Sequence, residues 1–442
     1  MPERQVITAL TGTAAPLLTV NAANPRELDY GSFWLPREWK KCCPFVCDFQ
    51  RLDANGQSSL DVEMNFELPK ICNCVNDLII EANFPSNTVT PLGATISYSD
   101  WTGFALMDYF SIHFGANQVY FRRPLDLYLR VRKQLGIERL ESIRQQVYGD
   151  RTTAQRTALF QNGTGHSPLL IPVYLPFSDD PMMSLPILCL SQKTRFVFRT
   201  KPLVNFIQNI VPGGATFVTN GMYDFHLLCN VIHTTGSEGE HLLNLSRQAS
   251  GIAYMIHQNA RQEDSDYASE VTNFEIKQQL SGITKPLVSL SWMLIPTRLV
   301  NNSGFNNYFF FNPAPPLPIP FGMNPYSPIL TWEIIANGLV IQRRIRRTYT
   351  TYHIYDMYDK GFAGEDIYTQ NYSQWPHSVN TAMGYLDYTN LNNATLNITL
   401  GVGGTGVDPI VPTMAQQLRL IINALDYNFW FFKGGNWTRT FN

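Results

Sequence analysis

The sequence predicts an all-β protein: two tandem eight-stranded antiparallel sandwiches, with long inserted loops and a few short helices. Three observations predict it. Strands that alternate without error occur in both halves. The 442 residues are too many for one ordinary core and enough for two domains of about 200. Three segments of the first half recur, in the same order, in the second.

The alternation is clearest in "NNATLNITLGV", residues 392–402. Ala394, Leu396, Ile398 and Leu400 alternate there with Asn393, Thr395, Asn397 and Thr399. A period of two marks a strand with one dry face and one wet face. "DVEMNFELPK" does the same with Val62, Met64, Phe66 and Leu68 against Asp61, Glu63, Asn65 and Glu67.

Taken from the N-terminus, residues 1–50 read as an arm, short of alternation and interrupted by Pro2, Pro16, Pro25, Pro36 and Pro44. Strand patterns follow at 61–68, 77–84, 105–121, 170–176, 186–199 and 222–232. A single helix is expected over 125–147, where Leu125, Leu129, Val131, Leu135 and Leu140 form an apolar stripe. A broken region from Thr234 to about Ala268 separates the halves, giving expected domains at 51–245 and 246–442. Further strands are expected at 271–278, 287–295, 329–342, 384–389, 393–400 and 417–430. Between them, 312–328 holds seven prolines. Proline at that density cannot join a ladder and predicts a stiff surface loop.

The repeats pair "NDLIIEANFP" (76–85) with "KPLVSLSWMLIP" (285–296), since both patterns stop at a proline. "FSIHFGANQVYFRR" (110–123) pairs with "TWEIIANGLVIQRR" (331–344), and both end in Val-x-x-Arg-Arg. "HLLCNVI" (226–232) pairs with "RLIINAL" (419–425). Two copies of one β unit explain all three. An eight-stranded sandwich of this kind is often a jelly roll.

Composition narrows the function classes. Charged residues make up 15% of the chain, against a usual share of roughly 25%, which fits a surface partly buried against partners. The net charge of −2 offers no basic stripe for phosphates, so sequence-specific nucleic-acid binding is not expected. The basic run Arg343–Arg347 reads as a charged strand edge that discourages wrong pairing. No apolar run is long enough for a membrane-spanning helix, and the N-terminus lacks a secretory pattern. The N-x-S/T triplets at Asn162, Asn244, Asn301, Asn371, Asn393, Asn397 and Asn436 are therefore expected to stay unmodified.

Seven cysteines (Cys42, Cys43, Cys47, Cys72, Cys74, Cys189 and Cys229) read as reduced thiols. The group in "CCPFVC" and "CNC" lacks the spacing of a zinc ribbon or finger, so small buried side chains are expected and no metal. The acids of "SDD" (178–180), "QEDSD" (262–266) and "GEDIYTQ" (364–370) read as turn residues. The histidines form no metal motif, and neither a nucleophile elbow nor a phosphate loop occurs. No catalytic residue, cofactor site or metal site is expected, and the protein is not expected to be an enzyme. Tyr368, Tyr372 and Trp375, if exposed, would instead suit a β-sandwich that stacks on sugar rings.

Several segments resemble the double jelly-roll major capsid proteins of nucleocytoplasmic large DNA viruses and their relatives. "LPKICNCVNDLIIEANFP" keeps the family's Asp-Leu as Asp77-Leu78 and its closing proline as Pro85, with Asn76 where glycine is usual. Residues 103–135 resemble the family's strand, turn, strand and helix, with Gly115-Ala116 where two glycines are common. Residues 174–199 and 230–258 resemble the segment after the Pro-Phe and the connection between the two jelly rolls. Near the end, 383–400 resembles an Asn-aromatic-Ser-Arg segment, with Thr389-Asn390 at the Ser-Arg. "RLIINALDYNFWFFKGG" resembles a closing strand.

The resemblance covers about residues 60–442 and implies a double jelly roll. It also implies a homotrimer forming a pseudo-hexagonal capsomer in the virion of an icosahedral double-stranded DNA virus. Neighbouring capsomers, minor capsid or penton proteins and an internal membrane are the implied partners. Residues 141–170 and 301–328 are then expected in the outer crown or trimer contacts, and the arm beneath the tile. An assembly scaffold of the same fold is the alternative within virology.

Overall fold

The computed structural model describes residues 45–440, except 91–95, 179–182, 210–215, 268–274, 297–328, 347–366, 377–383, 388–392, 401–417 and a few isolated positions. Most of the expected arm, the proline-rich loop, Cys42, Cys43, Asn301 and Trp375 lie outside the described residues.

The first unit contains β1 (Phe45–Asp53), β2 (Glu63–Glu67), β3 (Cys74–Asn83), β4 (Met107–Phe114), β5 (Asn117–Arg122), β6 (Leu169–Pro172), β7 (Thr194–Thr200) and β8 (Asp224–Thr234). They form two antiparallel sheets, in the orders β1-β8-β3-β6 and β2-β7-β4-β5. The second unit contains β9 (Ile252–Tyr267), β10 (Glu275–Gln279), β11 (Pro286–Pro296), β12 (Ile329–Ala336), β13 (Leu339–Arg346), β14 (Tyr368–Asn371), β15 (Thr395–Leu400) and β16 (Leu418–Lys433). Its sheets run β9-β16-β11-β14, to which the short strands Leu386–Asp387 and Asn436–Arg439 add on β11 and β16, and β10-β15-β12-β13. Adding eight to each strand number of the first unit gives the second. Each unit is an eight-stranded jelly roll, and the chain is a double jelly roll. Among the described residues, no strand of one unit pairs with a strand of the other.

All three sequence repeats fall on equivalent strands: β3 with β11, the β4–β5 hairpin with β12–β13, and β8 with β16. The hairpins differ in register. Asn337 and Gly338 both have positive φ, 54° and 74°, as a tight two-residue hairpin turn requires. The first turn falls on Gly115 and Ala116, one position off the sequence match. β-Bulges absorb the difference, one in the first hairpin and two in the second. The shared Val-x-x-Arg-Arg is consequently out of step: Val119 is buried while Val340 is exposed.

The alternating strands behave as their pattern demands. Met64, Phe66 and Leu68 are buried, as are Ala394, Leu396 and Ile398. Side chains of this size each contribute roughly 1.5–3 kcal/mol on full burial. The edge position of β13 agrees with the reading of its arginine run as a guarded strand edge.

Other expectations are corrected. Residues 45–50 are not arm but the start of β1, which pairs with β8 along nine residues. The helix expected over 125–147 is two helices, α1 (Pro124–Gln134) and α2 (Ile137–Val147). The stretch 141–170 is not a long loop. It carries the end of α2 and α3 (Thr153–Asn162), whose Ile143, Val147, Leu159 and Phe160 enter the first core. A capping box starts α3: the Thr152 hydroxyl accepts from the Gln155 amide, and the Gln155 side chain accepts from the Thr152 amide. The region from Thr234 to Ala268 is ordered as α4 (Gly236–Arg247) and β9. "QEDSD" therefore lies inside a strand, not a turn. Its acids hide the alternation, and pairing with β16 overrides their low strand propensity.

Candidate assembly surfaces

In a double β sandwich, the geometry that can meet a partner is that of its faces. The best-formed face is the joint between the two units. The first unit presents its β4–β5 hairpin and the start of α1. Tyr120 meets Trp430 edge-on at 6.0 Å, and Phe114 meets Trp437 at 5.9 Å. The Asn423 side-chain amide donates to the Asp126 carboxylate, and both groups are buried. Tyr254 donates its hydroxyl to the Ser184 carbonyl at 3.1 Å, and the Ser191 hydroxyl donates to the Gly435 carbonyl at 2.8 Å.

The second unit receives these groups on the outer face of its β9-β16-β11 sheet. In β11, Leu290, Trp292 and Leu294 point into the second core, whereas Met293 joins the first. In β16, Leu420, Ile422 and Ala424 do the former and Ile421 the latter. The sheet is therefore dry on both faces, and the two jelly rolls share one continuous packing.

The first unit's equivalent sheet differs. Along β3 the positions facing away from the core, Ile79, Glu81 and Asn83, are only half-buried. β1 exposes Phe45, Val46 and Phe49, and the β12–β13 hairpin exposes Leu339, Val340 and Ile341. On β1, Phe45 and Phe49 share the outer face and Val46 lies on the other.

Chemistry-bearing residues do not converge. Among the described residues, no group of three or more His, Cys, Asp or Glu could hold a metal. Cys72, Cys74, Cys189 and Cys229 are buried and free of disulfides, and Cys47 is exposed. Burial pushes the Cys72, Cys189 and Cys229 thiols up, away from the reactive thiolate. His226 lies between Asp53, 2.8 Å from Nδ1, and Asp224, 2.6 Å from Nε2; this clamp ties β1 to β8. Two carboxylates are held unusually high. Asp100 is pushed up to about 6 by burial, which the Arg156 charge partly offsets. Asp426 is pushed up to about 7 by burial, offset in part by Lys285. They sit in different units.

Of the aromatic residues considered for sugar stacking, the two described ones, Tyr368 and Tyr372, form no exposed platform. Tyr368 is buried in the second core, stacked on Trp292 at 6.2 Å, and Tyr372 packs against the same core. Sequence reasoning missed the exposed apolar groups of β1, because it placed them in the arm.

No family model matches the chain, and no curated protein does. Solved structures do. The PBCV-1 virus capsid is similar with a TM-score of 0.75 and 13% identity, over 93% of this chain and 100% of that one. The Faustovirus major capsid protein is similar with a TM-score of 0.68 and 10% identity, over 97% of both chains. The mavirus major capsid protein is similar with a TM-score of 0.52 and 10% identity, over 96% and 95%. Likeness at such identities establishes the fold: this chain has the double jelly roll that these viral capsid proteins share.

Proposed function

We propose that this protein is a major capsid protein, the structural subunit of an icosahedral double-stranded DNA virus shell, resident in the virion. The observation that carries the reading is the strand-for-strand duplication of one jelly roll within a chain that aligns along nearly its whole length with viral capsid proteins. Fold alone does not assign function, but the duplication has a geometric use. Two similar lobes per chain, repeated about a threefold axis, make six lobes in a near-hexagon. Such a tile meets similar neighbours on every side of a flat facet.

In this reading the subunit is a homotrimer, and its partners are neighbouring capsomers and the minor capsid or penton proteins, with an internal membrane beneath. The chain divides into an N-terminal arm under the tile, a first lobe to about residue 245 and a second lobe over 246–442. Electron microscopy of the purified protein tests it. Class averages with six lobes and threefold symmetry are expected. Compact single particles with two lobes, at every concentration, would contradict the reading.

A further inference from the structure

One face of β16 passes from one core to the other. Leu420, Ile422 and Ala424 pack in the second core, whereas Trp430 and Phe432 pack in the first. β16 carries no extra residue along its pairing with β9 and β11, so these even-numbered positions share one face of the strand. Asp426 falls on that face, at the change between the two cores. Both neighbouring strands bulge beside it: Ala260 is the extra residue of β9 and Val288 that of β11.

A carboxyl in that place has little to hold a charge. Asp426 is fully buried, and among the described residues neither of its oxygens accepts a hydrogen bond. An isolated buried carboxylate is so costly that the group keeps its proton or admits water. The residues opposite it, Gln258 of β9 and Leu287 of β11, carry no charge. Lys285, half-buried just before β11, offsets only part of the burial. Burial holds the Lys285 amine below its ordinary value, and Arg439 of the last short strand adds to that against the pull of Asp426. Asp387, paired with Pro286, is exposed. His257 and Asp126 meet the other face of β16, against Tyr427 and Asn423.

We propose that the Asp426 carboxyl is a proton-operated lock on the joint between the two jelly rolls. Protonated, it lets both cores close over β16. Ionised, it draws water into the seam and loosens one unit on the other. Loss of the proton opens the joint, and its gain closes it, because burial penalises the ionised form. The bulges of β9 and β11 place the yielding point beside the carboxyl, since the ladder is already interrupted there. The lock lies within one chain and does not depend on the oligomeric state.

Hydrogen exchange of the full chain tests it, read by mass spectrometry at about pH 5 and about pH 8, on either side of the Asp426 value of about 7. Each segment is compared with its unfolded rate at the same pH. The seam is residues 252–258 and 425–432, and β2, β7 and β15 serve as references within the two cores. In the wild-type chain, raising the pH should cut protection of the seam at least about tenfold relative to the references. Asp426→Asn, which keeps the shape and cannot ionise, should leave the seam protected at both pH values, and so should Asp426→Leu. Wild-type protection that does not change with pH overturns the proposal, as does the same loss in whichever variant folds. Equal loss from the seam and the references also overturns it, because ionisation then weakens the whole fold rather than the joint.

Discussion

Gly163 shows how one residue supports the fold. It ends α3 with φ 69° and ψ −171°, a region that side chains avoid. A Cβ there would lie 2.4 Å from the Phe84 carbonyl oxygen, which accepts from the Thr164 amide at 3.1 Å. Gly163→Ala should therefore destabilise the first unit by at least about 1–3 kcal/mol, from strain alone; urea unfolding measures this. Asp426 makes a second case. It is fully buried, and among the described residues neither carboxylate oxygen has a hydrogen-bond partner. Its ordinary value is 3.8 and its folded value about 7. Between those values the folded chain holds a proton that the unfolded chain has released. Asp426 therefore lowers stability as pH rises through this window, and the cost is complete above about pH 7. Asp426→Asn should remove a penalty on the order of 2–4 kcal/mol at pH 8 and almost none at pH 4. Thermal melts across that range will show whether the gap opens with rising pH. Such positions were not legible in the sequence. Gly163 resembles any loop glycine, and nothing around Asp426 in "NALDYNF" reveals that two neighbouring strands bury it.

Strands and hairpins were far more legible than these residues. Period-two alternation located β2 and β15, and the three repeats located equivalent strands before any topology was known. Alternation reports a difference between two faces, so it failed where that difference vanishes. β1 is exposed almost along its whole length, and β9 is rich in acids where it pairs with β16. Both strands are defined by their partners rather than by their own pattern. The Val-x-x-Arg-Arg repeat found the right hairpins in the wrong register, because bulges do not show in residue identity. The joint between units yields a prediction at this scale. Trp430 is buried between Tyr120, Trp437 and Phe432. Trp430→Ala should cost about 3–5 kcal/mol. Because the core is shared, denaturant unfolding followed by fluorescence and circular dichroism should show the joint weakening, with separated transitions for the two units.

At the scale of the whole molecule, the sequence revealed two copies of one sandwich, and the structure adds how they meet. The chain joins them through one pair of faces. The low share of charged residues, 15%, is in keeping with a molecule that covers more of its surface on assembly. What the sequence could not disclose is which faces meet, since that depends on packing between residues more than 200 apart in the chain. The central claim is that three copies close into one tile. The most direct measurement is the native mass in solution, by light scattering on a size-exclusion column. The account predicts a stable species of about 151 kDa, three times 50.2 kDa. A folded species of about 50 kDa that never associates would contradict it.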